Sequence, residues 1–468
     1  MRRRTGTAML GLMVLISACG GEASPSGSAD GDGGDGGDGK LVFWSNEDNS
    51  ERVAATQIIV DSFTEETGIE VELVALAEGD LTTQITAAIA GDTLPDVFGA
   101  LSLGFTHGLT ADGIADTEAT TAVVEALGRD TFSQSALDLV TVDDALIGIP
   151  SDSWAQLLVY RTDLFEAAGL EPPTTYETIL AAAEELNTDD QAGIVLATGN
   201  DLGFVQQTFE YFAVANGCDV IDADGSVTIT SPQCVETFDF YTNLVNNGSV
   251  EGAQDADTTR AQYFAGEAAM IVWSSFLLDE LAGLRDDALP TCPECTDDPA
   301  FLAENSGVVT AIQGPSADAP SQFGEMVSFV ITQDADTEEA QQFVEYMMSD
   351  AYVDWLALAP EGKFPVRLGT AENPTEYADA WGALDAGVDR KQPLGEVYDE
   401  STIEALTTSS DTMKRWAFSQ GQGGIAGALT TELPVPNALV LSLDGSLSPE
   451  EAAQEAQAAV EELAGALE

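Results

Sequence analysis

Between residues 41 and 100 the hydrophobic pattern changes period four times, each time at a turn or cap residue. "LVFW", Leu41 to Trp44, is a short buried-type strand that breaks into the polar run Ser45–Asn49. "SERVAATQIIVDSFTEETG" then sets Val53, Ile59, Val60 and Phe63 on one helical face, with Ser50 placed to cap it and Gly68 to end it. "IEVELVAL" alternates as a half-buried strand. A second helix follows, with Asp80 as cap and Gly91 as stop, and then a strand from Asp96 to Ala100. Strand–helix–strand–helix–strand is a severe constraint. Successive parallel strands need a crossover, so the sheet is mostly parallel with helices on both faces. Ligands of such sheets collect at the carboxyl ends of strands. That places Trp44 to Asn49, and the loop around Pro95-Asp96, near a site.

Ahead of this unit, "MRRRTGTAMLGLMVLISACGG" has a cationic start at Arg2–Arg4 and an uncharged apolar run from Ala8 to Ala18. The run is shorter than the roughly 20 residues of a membrane span. Residues 1–18 read as a signal peptide. Ile16-Ser17-Ala18-Cys19 resembles a lipobox, which implies Cys19 as a lipidated first residue of the mature chain. Arg3-Arg4 leaves the twin-arginine and general export routes both open. The stretch 19–39, ending "DGDGGDGGDG", reads as a flexible tether with an r.m.s. span of roughly 25 Å. A calcium loop is the rival, but Asp30, Asp32, Asp35 and Asp38 are followed by Lys40 and a strand, without a closing glutamate and flanking helices.

The chain carries 81 acidic and 15 basic residues, for a formal charge of −66. Lys40, Lys363, Lys391 and Lys414 are its lysines. Such a balance excludes ordinary nucleic-acid binding, which needs a basic footprint. With 44% hydrophobic residues and clear periodicity the chain is folded, and the charge reads as adaptation to high salt. Besides Cys19 the cysteines are Cys218, Cys234, Cys292 and Cys295. An even number outside the cell favours disulfides, and the local pairing is Cys218 with Cys234 and Cys292 with Cys295. Zinc is the rival for "CPEC", but there is no second CxxC and His107 is the single histidine. No cofactor is called for.

Downstream, "IGIPSDSWAQLLVYRTDLFEAAGLEPPTTYETILAAAEEL" reads as a strand to Pro150, a polar loop, a strand Leu157–Tyr160, a short helix, and a helix with Thr174 and Glu177 as a capping box. "YFAGEAAMIVW" is helix, Gly266, strand. "GEMVSFVITQDADTEEAQQFVEYMMS" is strand then amphipathic helix. The C-terminal helix starts with Ser448 as cap, Pro449 at its first position and Glu451 completing a capping box. Asn247-Gly248-Ser249 is a glycosylation sequon.

These segments, with "FTEETGIEVE" and "IAGDTLPDVF", resemble in order the extracellular solute-binding proteins of ABC importers, in particular the sugar-binding family with the maltose-binding fold. The likeness runs from about Lys40 to the C-terminus. Two stretches depart from it: "CPEC", and "GQGGIAGALTTELPVPNALVLSL" near the end, which has no counterpart in the pattern. The resemblance implies an α/β fold of two lobes, each a mostly parallel sheet flanked by helices and joined by hinge strands. One lobe spans 40–150 plus 326–365, and the other 151–325 plus 366–468. The chain is expected to cross near Pro150–Ser151, Gly324–Ser328 and Gly362–Arg367. The resemblance further implies a monomer, anchored by lipid to the outer face of the cytoplasmic membrane, that hands a carbohydrate to an ABC permease.

A neutral sugar presents hydroxyls to carboxylates, amides and arginine, and apolar C–H faces to aromatic rings. Residues of those types at strand ends or crossings are Trp44, Glu47, Asp96, Asp152, Trp154, Tyr211, Trp273, Glu325, Phe364 and Arg367. Trp355, Trp381 and Trp416 are assigned to core or lobe surface, and Phe105 and His107 to a loop. A receptor for a cationic or compatible solute stays open, as does presentation to a sensor instead of a transporter. An anchored glycan hydrolase is the remoter alternative, because with 81 acids paired carboxylates arise by chance. There is no G-x-S-x-G elbow, and "GQGGIAG" lacks the lysine of a phosphate-binding loop.

Overall fold

The structure is a computed structural model that describes residues 39–467 apart from residue 200. The expected signal peptide, Cys19 and the expected tether to residue 38 lie outside the described residues. The first unit follows the expected order: β1 (Lys40–Ser45), α1 (Ser50–Thr67), β2 (Glu70–Ala75), α2 (Glu78–Gly91), β3 (Val97–Ser102) and α3 (Leu103–Ala111). β1 pairs in parallel with β2 on one side and β3 on the other. The caps differ in detail. Asn49, one residue before Ser50, accepts from the backbone of Glu51 and Arg52, because the capping residue must itself be extended. Gly68 ends α1 in the left-handed region as expected, whereas α2 runs through Gly91 and Asp92 takes that conformation. α2 also starts earlier than Asp80, with Ala77 before it and no side-chain cap.

Helices cover both faces of this sheet. On one, Phe43 meets Phe343 edge-on (5.0 Å between centroids), and Phe343 in turn meets Phe63 of α1 (5.2 Å). On the other, Trp44 packs edge-on against Phe98 (5.6 Å) above Leu81 and Ile85 of α2. Burying an aromatic or aliphatic side chain of this kind contributes about 1.5–3 kcal/mol.

The lobes share one sheet. β4 (Ile149–Arg161) is a single long strand, where the sequence suggested two strands and a loop. Its first half, Ile149 to Ala155, pairs with β7 (Gly324–Ile331) and, at Asp152 and Ser153, with the short β8 (Phe364–Pro365). Its second half, from Gln156 on, pairs with β5 (Met270–Ser274) and β6 (Ser306–Val309). β7 returns antiparallel to β3, giving the order β8-β4-β7-β3-β1-β2. The parallel expectation holds for β2-β1-β3. The crossing strands add antiparallel pairs because the chain runs out along β4 and back along β7.

The other lobe is built on helices Leu202–Ala215 and Pro232–Gly248, whose Phe209, Phe212, Phe238 and Tyr241 form an aromatic core. A disulfide between Cys218 and Cys234 ties the end of the first to the start of the second. Cys292 bonds Cys295, as the local pairing anticipated. Thr175 and Thr178, in place of Thr174 and Glu177, form the capping box of helix Tyr176–Glu185. Ser448 and Glu451 cap each other as read from sequence. The stretch from Gly421, unplaced in sequence, supplies helices Ala426–Glu432 and Pro434–Leu443. Among the described residues no helix is long and apolar enough to cross a membrane.

Candidate functional site

The carboxyl ends of β1 and β3 face the point where β4 changes partners. A cavity of ≈160 Å³ lies there. Asn46 and Glu47 reach it from the β1–α1 loop, Arg52 from the first turn of α1, Ser153 and Trp154 from β4, Phe276 from the turn after β5, and Gly362 and Lys363 from the segment leading into β8. Trp154 and Phe276 supply aromatic surface. Asn46 Oδ1 and Ser153 Oγ are buried without a hydrogen-bond partner among the described residues, as acceptors awaiting a polar ligand are. Phe276 rests on Gly362 so closely that a Cβ there would come within 2.1 Å of its ring, which is why this position is glycine. Larger concavities exist, one of ≈480 Å³ between helices Tyr176–Glu185 and Pro232–Gly248, but that one is built within one lobe with no crossing strand in its wall.

Two ion networks flank Trp154. In the first, Lys363 Nζ lies 2.7 Å from Glu47 Oε1 and 3.2 Å from Asp152 Oδ2, with Arg52 3.1 Å from the other Glu47 oxygen. Asp152 also accepts from Trp355 Nε1 (2.7 Å) and Ser151 Oγ (2.7 Å). Burial works to raise the Glu47 carboxyl, but Lys363 and Arg52 outweigh it and hold it below the usual carboxylate value. Burial alone would lower Lys363, yet Asp152 and Glu47 hold it above its ordinary value. In the second network Arg415 bonds Glu325, Glu210 (3.2 Å) and the carbonyl of Gly324 (3.0 Å). Burial raises Glu210, against the pull of Arg415. The other oxygen of Glu325 accepts from the backbone N–H of Leu103 (3.0 Å), so a crossing-strand carboxylate caps α3.

Of the residues expected at the site, the fold brings Glu47, Asp152 and Trp154 onto one pocket. Glu325 stands opposite Trp154 in the β4–β7 ladder. The others are placed elsewhere. Asp96 precedes β3 and accepts from Val42 N (2.7 Å), so it stands toward the amino end of the sheet, away from the ligand edge. Trp44 turns to the α2 side. Tyr211 is fully buried and donates to the Val309 carbonyl (3.3 Å). Trp273 donates to the Ala256 carbonyl (3.0 Å) beneath Arg260, and Phe276 stands in the cleft instead. Phe364 is buried edge-on against Trp381 (5.3 Å). Arg367 is buried, donating to Leu127 O (2.7 Å), Thr131 Oγ1 (3.0 Å) and Met348 O, and it pins the back of the sheet. Trp355, Trp381 and Trp416 are core residues, as assigned.

Sequence reasoning placed Asn46 only within the stretch Trp44–Asn49, and missed Arg52, Ser153, Phe276, Lys363 and the Glu210–Arg415 pair. Lys363 carried a usable signal, being a rare lysine in an acidic chain at an expected crossing. His107 lies in α3, where its Nε2 contacts the Leu139 carbonyl (3.0 Å) and its ring packs against Gly423 and Phe418. A Cβ on Gly423 would come within 2.2 Å of that ring, so this glycine of "GQGG" serves a packed interface.

Comparison with known proteins agrees with this architecture. The profile of a family described as bacterial extracellular solute-binding protein matches residues 47–354. A putative ABC transporter periplasmic-binding protein of Escherichia coli, YcjN, is 25% identical over 344 residues, covering 72% of this chain and 75% of that one. Among solved structures, the cyclic alpha-maltosyl-1,6-maltose binding protein of Arthrobacter globiformis superposes with a TM-score of 0.69 at 18% identity, over 91% of this chain and 98% of that one. The maltose-bound MalE3 of T. maritima superposes with a TM-score of 0.64 at 18% identity, over 91% and 99%. The fold is therefore the two-lobed one of periplasmic binding proteins.

Proposed function

Because the chain belongs to the family of bacterial extracellular solute-binding proteins, we propose that it is the substrate receptor of an ABC importer and captures a carbohydrate between its lobes. The family is one of receptors, so the activity is binding, not turnover. The observation that carries the carbohydrate reading is the pocket wall itself: Trp154 and Phe276 beside the carboxylates of Glu47 and Asp152 and the oxygens of Asn46 and Ser153, which have no partner among the described residues. Aromatic faces take the C–H side of a sugar ring, and fixed acceptors take its hydroxyls. Two of the solved neighbours are a cyclic maltosyl-maltose binding protein and a maltose-bound MalE3, which favours the same ligand class.

The pocket draws its walls from the β1–α1 loop on one side and the β5 turn on the other, with the crossing strand β4 between. Ligand then bonds both lobes only when they close, and its differential affinity moves the open–closed balance. The lobes divide where β4 changes partner, after Ala155. Cys19 carries the lipid anchor, the Asp/Gly stretch is the tether, the acidic surface is a salt adaptation, and a monomer docks on the permease.

The test is a thermal-shift and calorimetric screen of neutral mono- and disaccharides in molar NaCl. A binding sugar at 100 times its Kd raises stability by about 2.7 kcal/mol. Absence of any response across the panel, with a response to amino acids or peptides, refutes the carbohydrate reading.

A further inference from the structure

We propose that Lys363 sets the charge selectivity of the cleft, acting as a built-in ammonium that fills a latent cation site and so reserves the pocket for neutral solutes. This inference rests on the carbohydrate reading of the same pocket. The pocket is lined by two carboxylates, Glu47 and Asp152, and two cations, Arg52 and Lys363. Arg52 bonds Glu47 alone among these acids, whereas Lys363 reaches both, at 2.7 Å and 3.2 Å. Its ammonium also sits 4.3 Å from the centroid of Trp355, and the residue is only 4% exposed.

Two carboxylates and an aromatic face around one ammonium are the elements by which proteins hold organic cations. Here the cation belongs to the chain. In a molecule with 81 acidic residues, cationic solutes gather everywhere at the surface, so a neutral-sugar site needs local compensation. With Lys363 present the charges lining the pocket balance. Without it one carboxylate is in excess in a buried setting, where a charge seeks a partner strongly. The Lys363 side chain arrives from the segment next to β8, so its removal leaves the Glu47–Asp152–Trp355 cage facing the cavity. Selectivity here works by occupation: a small amine is refused because its place is taken.

The experiment compares the wild type with Lys363→Ala, Lys363→Arg and Lys363→Ala/Asp152→Asn. Each is titrated with the neutral sugar panel and with propylammonium chloride against NaCl at equal ionic strength. The wild type is expected to bind sugar and to respond equally to propylammonium and sodium. Lys363→Ala loses about tenfold or more in sugar affinity and gains a melting-temperature rise specific to propylammonium. Lys363→Arg keeps the wild-type pattern. The double variant, neutral again, loses the propylammonium response. Sugar affinity within about twofold of wild type in Lys363→Ala, with no propylammonium response, overturns the inference. If Lys363→Ala does not fold, the double variant decides: a propylammonium-specific response in it is equally fatal, and its absence supports the inference. If the wild type binds no sugar, the carbohydrate reading fails, while the propylammonium contrast between wild type and Lys363→Ala still judges the role of Lys363.

Discussion

Directly behind the pocket wall lies a pair of buried acids, Asp279 and Glu361, that should make stability fall as pH rises. Phe276 is followed by helix Leu277–Leu281, which carries Asp279, and Gly362 is preceded by Glu361. Asp279 is 0% exposed, and neither of its carboxylate oxygens has a hydrogen-bond partner among the described residues. Burial first, then the neighbouring Glu361, pushes its carboxyl from an ordinary 3.8 up to about 8, with Arg285 opposing. Burial raises Glu361 in the same way. Between pH 4 and pH 8 the folded state therefore keeps a proton on Asp279 that the unfolded chain has released. The folded state binds more protons, so stability declines with rising pH across that window.

A displacement of about four pK units corresponds to about 6 kcal/mol over the whole window, of which about 4 kcal/mol falls between pH 5 and pH 8. Asp279→Asn cannot ionise, and any constant packing cost cancels in the comparison of two pH values. Urea unfolding of wild type and variant at pH 5 and pH 8, in constant molar NaCl, should show the variant gaining about 4 kcal/mol relative to wild type on going to pH 8. A relative stability that stays flat within about 1 kcal/mol refutes the assignment of a buried neutral Asp279.

Other expectations follow from the same geometry. Arg415→Met strands Glu210 and Glu325 and should cost about 3–5 kcal/mol in urea unfolding; further exchange of Glu210 for Gln should return part of it. Phe276→Ala should weaken sugar binding by roughly tenfold or more in calorimetry. Gly362→Ala, which drives a Cβ into the Phe276 ring, should also weaken it. Tyr211→Phe should lower stability by about 1 kcal/mol through the lost bond to Val309 and leave ligand affinity unchanged, since the side chain lies in the core. Lowering salt from 1 M to 0.1 M lengthens the Debye length from about 3 to about 10 Å. With a formal charge of −66, the melting temperature should drop accordingly.

The local order of elements was legible because periodicity and caps are local properties. The β1-α1-β2-α2-β3 unit, the helices on both of its faces, the local disulfides and the Ser448–Glu451 cap could all be read from neighbouring residues. Trp355 and Trp381, assigned from sequence to core or lobe surface, lie in the core. Local pattern thus carried the class of fold and the order of its elements.

Which side chains share the cleft was decided only in three dimensions. Trp273 and Phe276 are three residues apart, and the turn after Ser274 sends one beneath Arg260 and the other onto Gly362. Asp96 looked adjacent to a ligand edge, but the chain enters β3 there and the open edge is at the strand's far end. Lys363 meets Glu47 across 316 positions of sequence and Asp152 across 211, separations over which no local pattern carries information. A binding pocket is made of contacts between distant segments, and their geometry is set by how whole strands and helices pack. Local pattern ordered the strands and helices; their packing placed Lys363 between two carboxylates.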